Sequence, residues 1–220
     1  MDLSKLSRIV SERLEKDISL IDSILSEKDL VRENAIKISR DIIRLSAESI
    51  RLIHLQKYGE AKEKLRDAEE KVKELTKLLS NHEDLFFSGL TYNCLSEFVE
   101  AYILYKLIVE KNMPSYEELK LPYIPFLQGL GDVVGELRRY IIDLLKEERY
   151  EESKEYLLII ETIYQMLKRL NYPDALIPGL RHKVDVARRL VEDTKVLYVS
   201  TVTAAKLRKT IEKLLNKKPS

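Results

Sequence analysis

Gly129-Leu-Gly-Asp-Val-Val-Gly-Glu-Leu-Arg-Arg139 decides between an α/β reading of this chain and an all-α one. Three glycines beside charged residues could form a phosphate-binding turn. The spacing Gly-x-Gly-x-x-x-Gly is not the dinucleotide fingerprint, however, and the run does not follow a strand. Read as a helix, the stretch is two-faced. Asp132, Glu136 and Arg139 share one face, with Asp143 further along it, because positions i, i+3 and i+4 are neighbours. Leu130, Val134, Leu137, Ile141 and Leu145 form the opposite, apolar face. Gly131 and Gly135 each cost roughly 1 kcal/mol relative to alanine. That cost is offset if another backbone packs close.

Outward from this stretch the chain is helical throughout. Residues 1–56 contain no glycine or proline, and their apolar residues recur at helical spacing. Unbroken, this helix would be on the order of 80 Å long. Ser26 with Asp29 allows a break near 26–28, so one helix or two both fit. Gly59 marks a turn, and residues 60–79 read as a highly charged helix with a solvated face. A loop is expected over 81–89. Residues 91–111 include Phe98-Val-Glu-Ala-Tyr-Ile-Leu-Tyr-Lys-Leu-Ile-Val109, apolar nearly all round, so this helix should be central. A connector with Pro114, Pro122 and Pro125 follows, with one helical turn over 115–120. Pro125 suits the first turn of the next helix, which runs to about Glu147. Further helices are expected over 151–170 and from Pro178 to Leu215. Gln56-Lys-Tyr58 echoes Glu148-Arg-Tyr150, which reads as shared turn chemistry and not as a repeat. The prediction is an all-α bundle of about seven helices with long antiparallel members. Residues 1–216 would form one domain, and 217–220 a frayed tail.

Composition removes several functions. The net charge of +1 provides no global basic field, so any nucleic acid must be held by a local patch. The single cysteine, Cys94, excludes an internal disulfide and suits a reducing compartment, so a cytoplasmic location is expected. His54, His82 and His182 are scattered, with no partner at ligand spacing, which argues against a zinc site. No apolar run reaches the roughly 18 residues of a spanning helix. There is no P-loop and no nucleophile motif. Arg51 and His54 are too close for the Arg-x4–6-His motif of helical HEPN ribonucleases.

Two acid pairs remain. Glu97 and Glu100 lie one helical turn apart on a stripe that continues through Leu104, Leu107 and Ile108. Asp132 and Glu136 form the second pair. Each alone is most simply a solvated face. Together, acids on two bundle helices are a recurrent way to hold hard divalent cations. Glu-x-x-His is absent, which disfavours a di-iron site, and all-oxygen ligands point to Mg²⁺ or Mn²⁺. Such a cluster suits phosphodiester or pyrophosphate hydrolysis. Arg138, Arg139 and Lys183 are the candidate nucleic-acid contacts, with Arg139 the best placed to meet a phosphate.

These residues resemble the translin / translin-associated factor X (TRAX) family. Glu97-Phe-Val-Glu-Ala101 is similar to the Glu-Tyr-Val-Glu-Ala segment of TRAX. Leu127-Gln-Gly-Leu-Gly-Asp-Val-Val-Gly-Glu136 resembles the TRAX run ending Asp-Leu-Thr-Gly-Glu. The last helix, from Gly179-Leu-Arg-His-Lys-Val-Asp185 through Val196-Leu-Tyr-Val199, resembles the family's C-terminal helix. The first 90 residues match mainly in helical pattern. The Arg/His-rich segment that precedes the corresponding position in translin is replaced here by Leu85-Phe-Phe-Ser-Gly-Leu-Thr-Tyr92.

The resemblance implies an all-α domain in a hollow oligomer enclosing RNA, and a Mg²⁺-dependent endoribonuclease acting on small single- or double-stranded RNA. Glu97, Glu100 and Asp132 correspond to the TRAX catalytic acids, with Glu136 as the fourth acid, and all four would be metal ligands. The oligomer would be a homo-oligomer, or a hetero-oligomer with a translin-like subunit, away from any membrane. A catalytically silent RNA-binding or assembly subunit is the alternative. An all-α nucleotide pyrophosphatase is the third reading; the spacing Asp-x-x-x-Glu of the second pair argues against it.

Overall fold

The computed structural model describes residues 3–215. The tail expected to fray, 217–220, lies outside them. Eight α-helices are present among the described residues, and no strand. They are α1 (Leu3–His54), α2 (Tyr58–Leu78), α3 (Glu83–Phe86), α4 (Gly89–Tyr105), α5 (Tyr116–Leu119), α6 (Tyr123–Lys146), α7 (Tyr150–Lys168) and α8 (Leu180–Leu215). The single turn α3 occupies the expected loop and raises the number above seven.

α1 runs through Ser26 without a break, which settles the choice between one helix and two. It ends by chain reversal and not by a glycine. Gln56 takes a left-handed φ of 58°. Its N–H donates to the carbonyl of Ile53, and that of Lys57 to Leu52, both at 2.9 Å. α6 ends the same way: Glu148 has φ 58°, and Arg149 N–H reaches the Leu144 carbonyl at 2.9 Å. These paired bonds satisfy the orphan carbonyls of each helix end. They account for the echo between residues 56–58 and 148–150. α5 opens with the capping box of Ser115 and Glu118. α4 continues into a π-helical turn, Lys106–Glu110, which the periodicity did not foretell.

The core is built around α4, whose Leu95, Phe98, Val99, Ile103 and Leu104 are buried. α1, α2 and α6 pack against α4, and α7 and α8 pack against α6. The apolar face expected on α6 is the one that is buried, from Leu130 to Leu145. By contrast, residues 5–27 of α1 are exposed on every side. Leu14, Ile18, Ile21 and Leu25 in that arm are 49–60 % exposed. Their apolar face finds no partner among the described residues.

Candidate functional site

α4 presents Glu97 and Glu100, and α6 presents Asp132 and Glu136. The question left by spacing is whether the two helices turn these faces towards each other. They do, and Gly129 is the reason. A Cβ on Gly129 would stand 2.6 Å from the Ser96 carbonyl oxygen and 2.8 Å from Val99 Cβ. Only glycine lets α6 approach α4 this closely, one residue before Glu97 on one helix and three before Asp132 on the other. The contact is locked by Ser96 Oγ–H, which donates to Gln128 Oε1 at 3.0 Å. Gln128 Nε2 in turn donates to the Pro178 carbonyl at 2.9 Å, tying in the lead to α8.

The expected close packing at Gly131 and Gly135 therefore needs correcting. Gly135 meets only Leu190 Cδ1, at 3.9 Å from an added Cβ. Gly131 makes room for a side chain from α8: an added Cβ would lie 3.0 Å from Lys183 Cβ. The Lys183 stem lies across α6 here, and its Nζ sits 2.5 Å from Asp132 Oδ1.

Electrostatics confirm that the four acids share one field. Burial pushes the Glu100 carboxyl up to about 8, and the charges of Asp132, Glu97 and Glu136 push the same way. Burial also raises Glu97, with Asp132 adding to it and Lys183 opposing. These are the shifts expected where carboxylates crowd in a poorly hydrated place. Glu136 moves the other way. A hydrogen bond from His54 holds it below the usual carboxylate range.

His54 is the residue that sequence spacing missed. It closes α1, its side chain is 4 % exposed, and Nε2 lies 2.6 Å from Glu136 Oε2. The partners are 82 positions apart, so periodicity within a helix had no access to the contact. The scattered histidines indeed have no partner at ligand spacing, but His54 finds one in Glu136 across the fold. Of the three basic candidates, Lys183 joins Asp132. Arg139 stands 3.7 Å from Glu136 and is exposed. Arg138 joins neither acid pair, and its Nε is buried without a partner. Asp143 pairs with Lys146 and does not belong to the cluster.

The arrangement offers four carboxylates, with one ammonium and one imidazole already engaged with two of them. Among the described residues, no three His, Cys, Asp or Glu side chains stand close enough to hold a metal ion in this pose. A cavity of about 630 Å³ between α2, α4 and α5, lined by Phe98, Tyr102 and Leu121, does not include the acids. No described helix is long and apolar enough to cross a membrane.

Comparison with known proteins identifies the family and the fold. The translin family profile matches residues 30–202. An uncharacterized protein of Methanocaldococcus jannaschii is 33 % identical over 200 residues, covering 90 % of this chain and 88 % of that protein. Among solved structures, AfC3PO in complex with duplex RNA is similar with a TM-score of 0.80 at 31 % identity, covering 86 % of this chain and 97 % of that one. Apo-NeC3PO, at 21 % identity and a TM-score of 0.76, covers 84 % of this chain and 96 % of its own and shares the fold. With residues 30–202, and so both acid-bearing helices, inside the matched span, the chain belongs to the translin family.

Proposed function

We propose that this protein is a catalytic, TRAX-like member of the translin family: an RNA-binding, Mg²⁺-dependent endoribonuclease that works as an oligomer. The observation that carries this reading is the convergence of Glu97, Glu100, Asp132 and Glu136 from α4 and α6, where burial first, and the charges of the other three second, raise Glu100 to about 8. A dication is the partner that such a donor set lacks. All its ligands are oxygens, as Mg²⁺ or Mn²⁺ requires. Glu97, Glu100 and Asp132 would hold the ion, with Glu136 as a further ligand or support. A bound divalent ion polarises a phosphodiester and eases ionisation of water.

Loading asks two things of this chain. Glu100 would bind as the carboxylate, and Asp132 would exchange its contact with Lys183 for the ion. The released ammonium is then free to meet an RNA phosphate, beside Arg139 and Arg138. RNA as the ligand is supported by the 31 % identity to AfC3PO, whose structure holds duplex RNA. Assembly is supported by the bare apolar face of α1, where Leu14, Ile18, Ile21 and Leu25 are exposed together. Such an assembly would combine copies of this chain or include a translin-like subunit.

A second reading is a catalytically silent RNA-binding or assembly subunit. The Lys183–Asp132 pair favours it, since an ammonium already neutralises part of the cluster. A nuclease assay separates the two. Purified protein is incubated with a short RNA and Mg²⁺ or EDTA, beside a measurement of native mass. Cleavage that requires Mg²⁺ supports the first reading. Tight RNA binding without cleavage under Mg²⁺ or Mn²⁺ supports the second. Hydrolysis of a nucleoside triphosphate in place of RNA would overturn both.

A further inference from the structure

The contact between His54 and Glu136 carries more than its family's acids explain. His54 arrives from α1, which packs against α4 and α2 and otherwise serves the core. Its side chain is 4 % exposed. A carboxylate oxygen accepts and a ring N–H donates, so Nε2–H is the donor to Oε2 at 2.6 Å. Nδ1 is buried and has no partner. A core histidine serving stability alone would be expected to satisfy both nitrogens. Here the ring's one polar engagement is the fourth acid of the cluster.

The two groups near Glu136 are unequal. Arg139 lies 3.7 Å away and is 57 % exposed, so its hold is weak. His54 is closer and shielded from water. Both approach the same oxygen, Oε2. Among the described residues no hydrogen bond engages Oε1. The carboxylate is therefore gripped on one side and open on the other.

We propose that His54 is a positioning residue: its imidazole fixes one oxygen of Glu136 and leaves the other available to a hard divalent cation. This rests on the reading of the acid cluster as a cation site. The logic is that of histidine–carboxylate pairs around metal centres, with the order reversed. The imidazole stands outside and the carboxylate inside, and the outer group orients the ligand.

The test uses the full chain without RNA and reads Mn²⁺ binding directly, by loss of the free-ion signal in electron paramagnetic resonance. His54→Leu removes the donor and keeps an apolar filler. It should weaken Mn²⁺ binding by about 10- to 100-fold, the usual consequence of losing an outer-shell partner. His54→Gln carries an N–H at similar reach and should recover most of the affinity. In a Glu136→Gln background, His54→Leu should cause no further loss. Circular dichroism on each variant checks folding, and the glutamine variant keeps the test decisive if the leucine variant unfolds. Equal Mn²⁺ affinity in wild type and folded His54→Leu would overturn the positioning role while leaving the cation site standing. Absence of saturable Mn²⁺ binding in the wild type would overturn both.

Discussion

Replacing Glu100 by glutamine should make the protein more stable as the pH rises, and the gain can be worked from the site. Glu100 has an ordinary value of 4.5 in the unfolded chain and about 8 in the folded one. Below pH 4.5 both states carry the proton, and the group does not affect folding. Between 4.5 and about 8 the folded state keeps a proton that the unfolded state releases. Stability therefore falls as pH rises through this window and levels off above it. The slope is tenfold in the folding equilibrium constant per pH unit. From pH 5.5 to 7.5 the wild type should lose roughly a hundredfold, or about 3 kcal/mol, relative to Glu100→Gln. Glutamine matches the shape and never ionises, so the difference between the two proteins isolates this carboxyl. Glu97, also raised, adds a slope of the same sign, and Glu136, lowered, one of opposite sign. Both remain in the variant, so only their coupling to Glu100 survives in the difference. The assay is urea unfolding at pH 5.5, 6.5 and 7.5 in EDTA, at fixed protein concentration because assembly shifts apparent stability. A difference that does not change with pH would mean that Glu100 is ionised in the folded protein, and the crowded-acid account would fail.

Three further outcomes follow from the same geometry. Gly129→Ala should destabilise the fold by roughly 1–3 kcal/mol in urea melts, because its Cβ would meet the Ser96 backbone at 2.6 Å and force α6 from α4; a neutral result would show that the helices are not pinned there. Lys183→Met should tighten Mn²⁺ binding by roughly fivefold, since a partly buried ion pair worth on the order of 1 kcal/mol no longer competes for Asp132, while RNA affinity falls; weaker Mn²⁺ binding would show that the lysine supports the site and does not occupy it. Ile18→Asp with Leu25→Asp places charges on the exposed face of α1 and should lower the native mass with helicity unchanged; an unaltered mass would remove this face from the assembly.

The sequence made the elements legible because helices announce themselves locally. The unbroken apolar period of residues 1–56, the fully apolar run at Phe98–Val109 and the two-faced pattern around Leu137 each follow from 3.6-residue geometry, and the structure shows helices at all three. The acid pairs were legible for the same reason, each lying within one helix. What spacing could not supply was anything between helices. His54 reaches Glu136 across 82 positions, and Lys183 reaches Asp132 across 51, so neither leaves a local trace. Attention to glycine was sound, but it fell on Gly131 and Gly135, because only they lie beside the acids. Gly129 is the residue that touches backbone, and that depends on where α4 lies. The π turn at Lys106–Glu110 is also hidden, since one extra residue per turn over five residues leaves the apolar pattern almost unchanged. The exposed half of α1 was read correctly as a helix; that its apolar face lacks a partner among the described residues emerges only once every other helix has been placed.

The central claim is that the acids of α4 and α6 act together on RNA through a divalent ion. Single-turnover cleavage of a short RNA by wild type, Asp132→Asn and Glu97→Gln, each in Mg²⁺ and in EDTA and with RNA binding measured alongside, tests it most directly. The account predicts cleavage by the wild type in Mg²⁺ alone, and loss of cleavage in both variants with RNA binding and helicity intact. Mg²⁺-dependent cleavage persisting in both purified variants would contradict it.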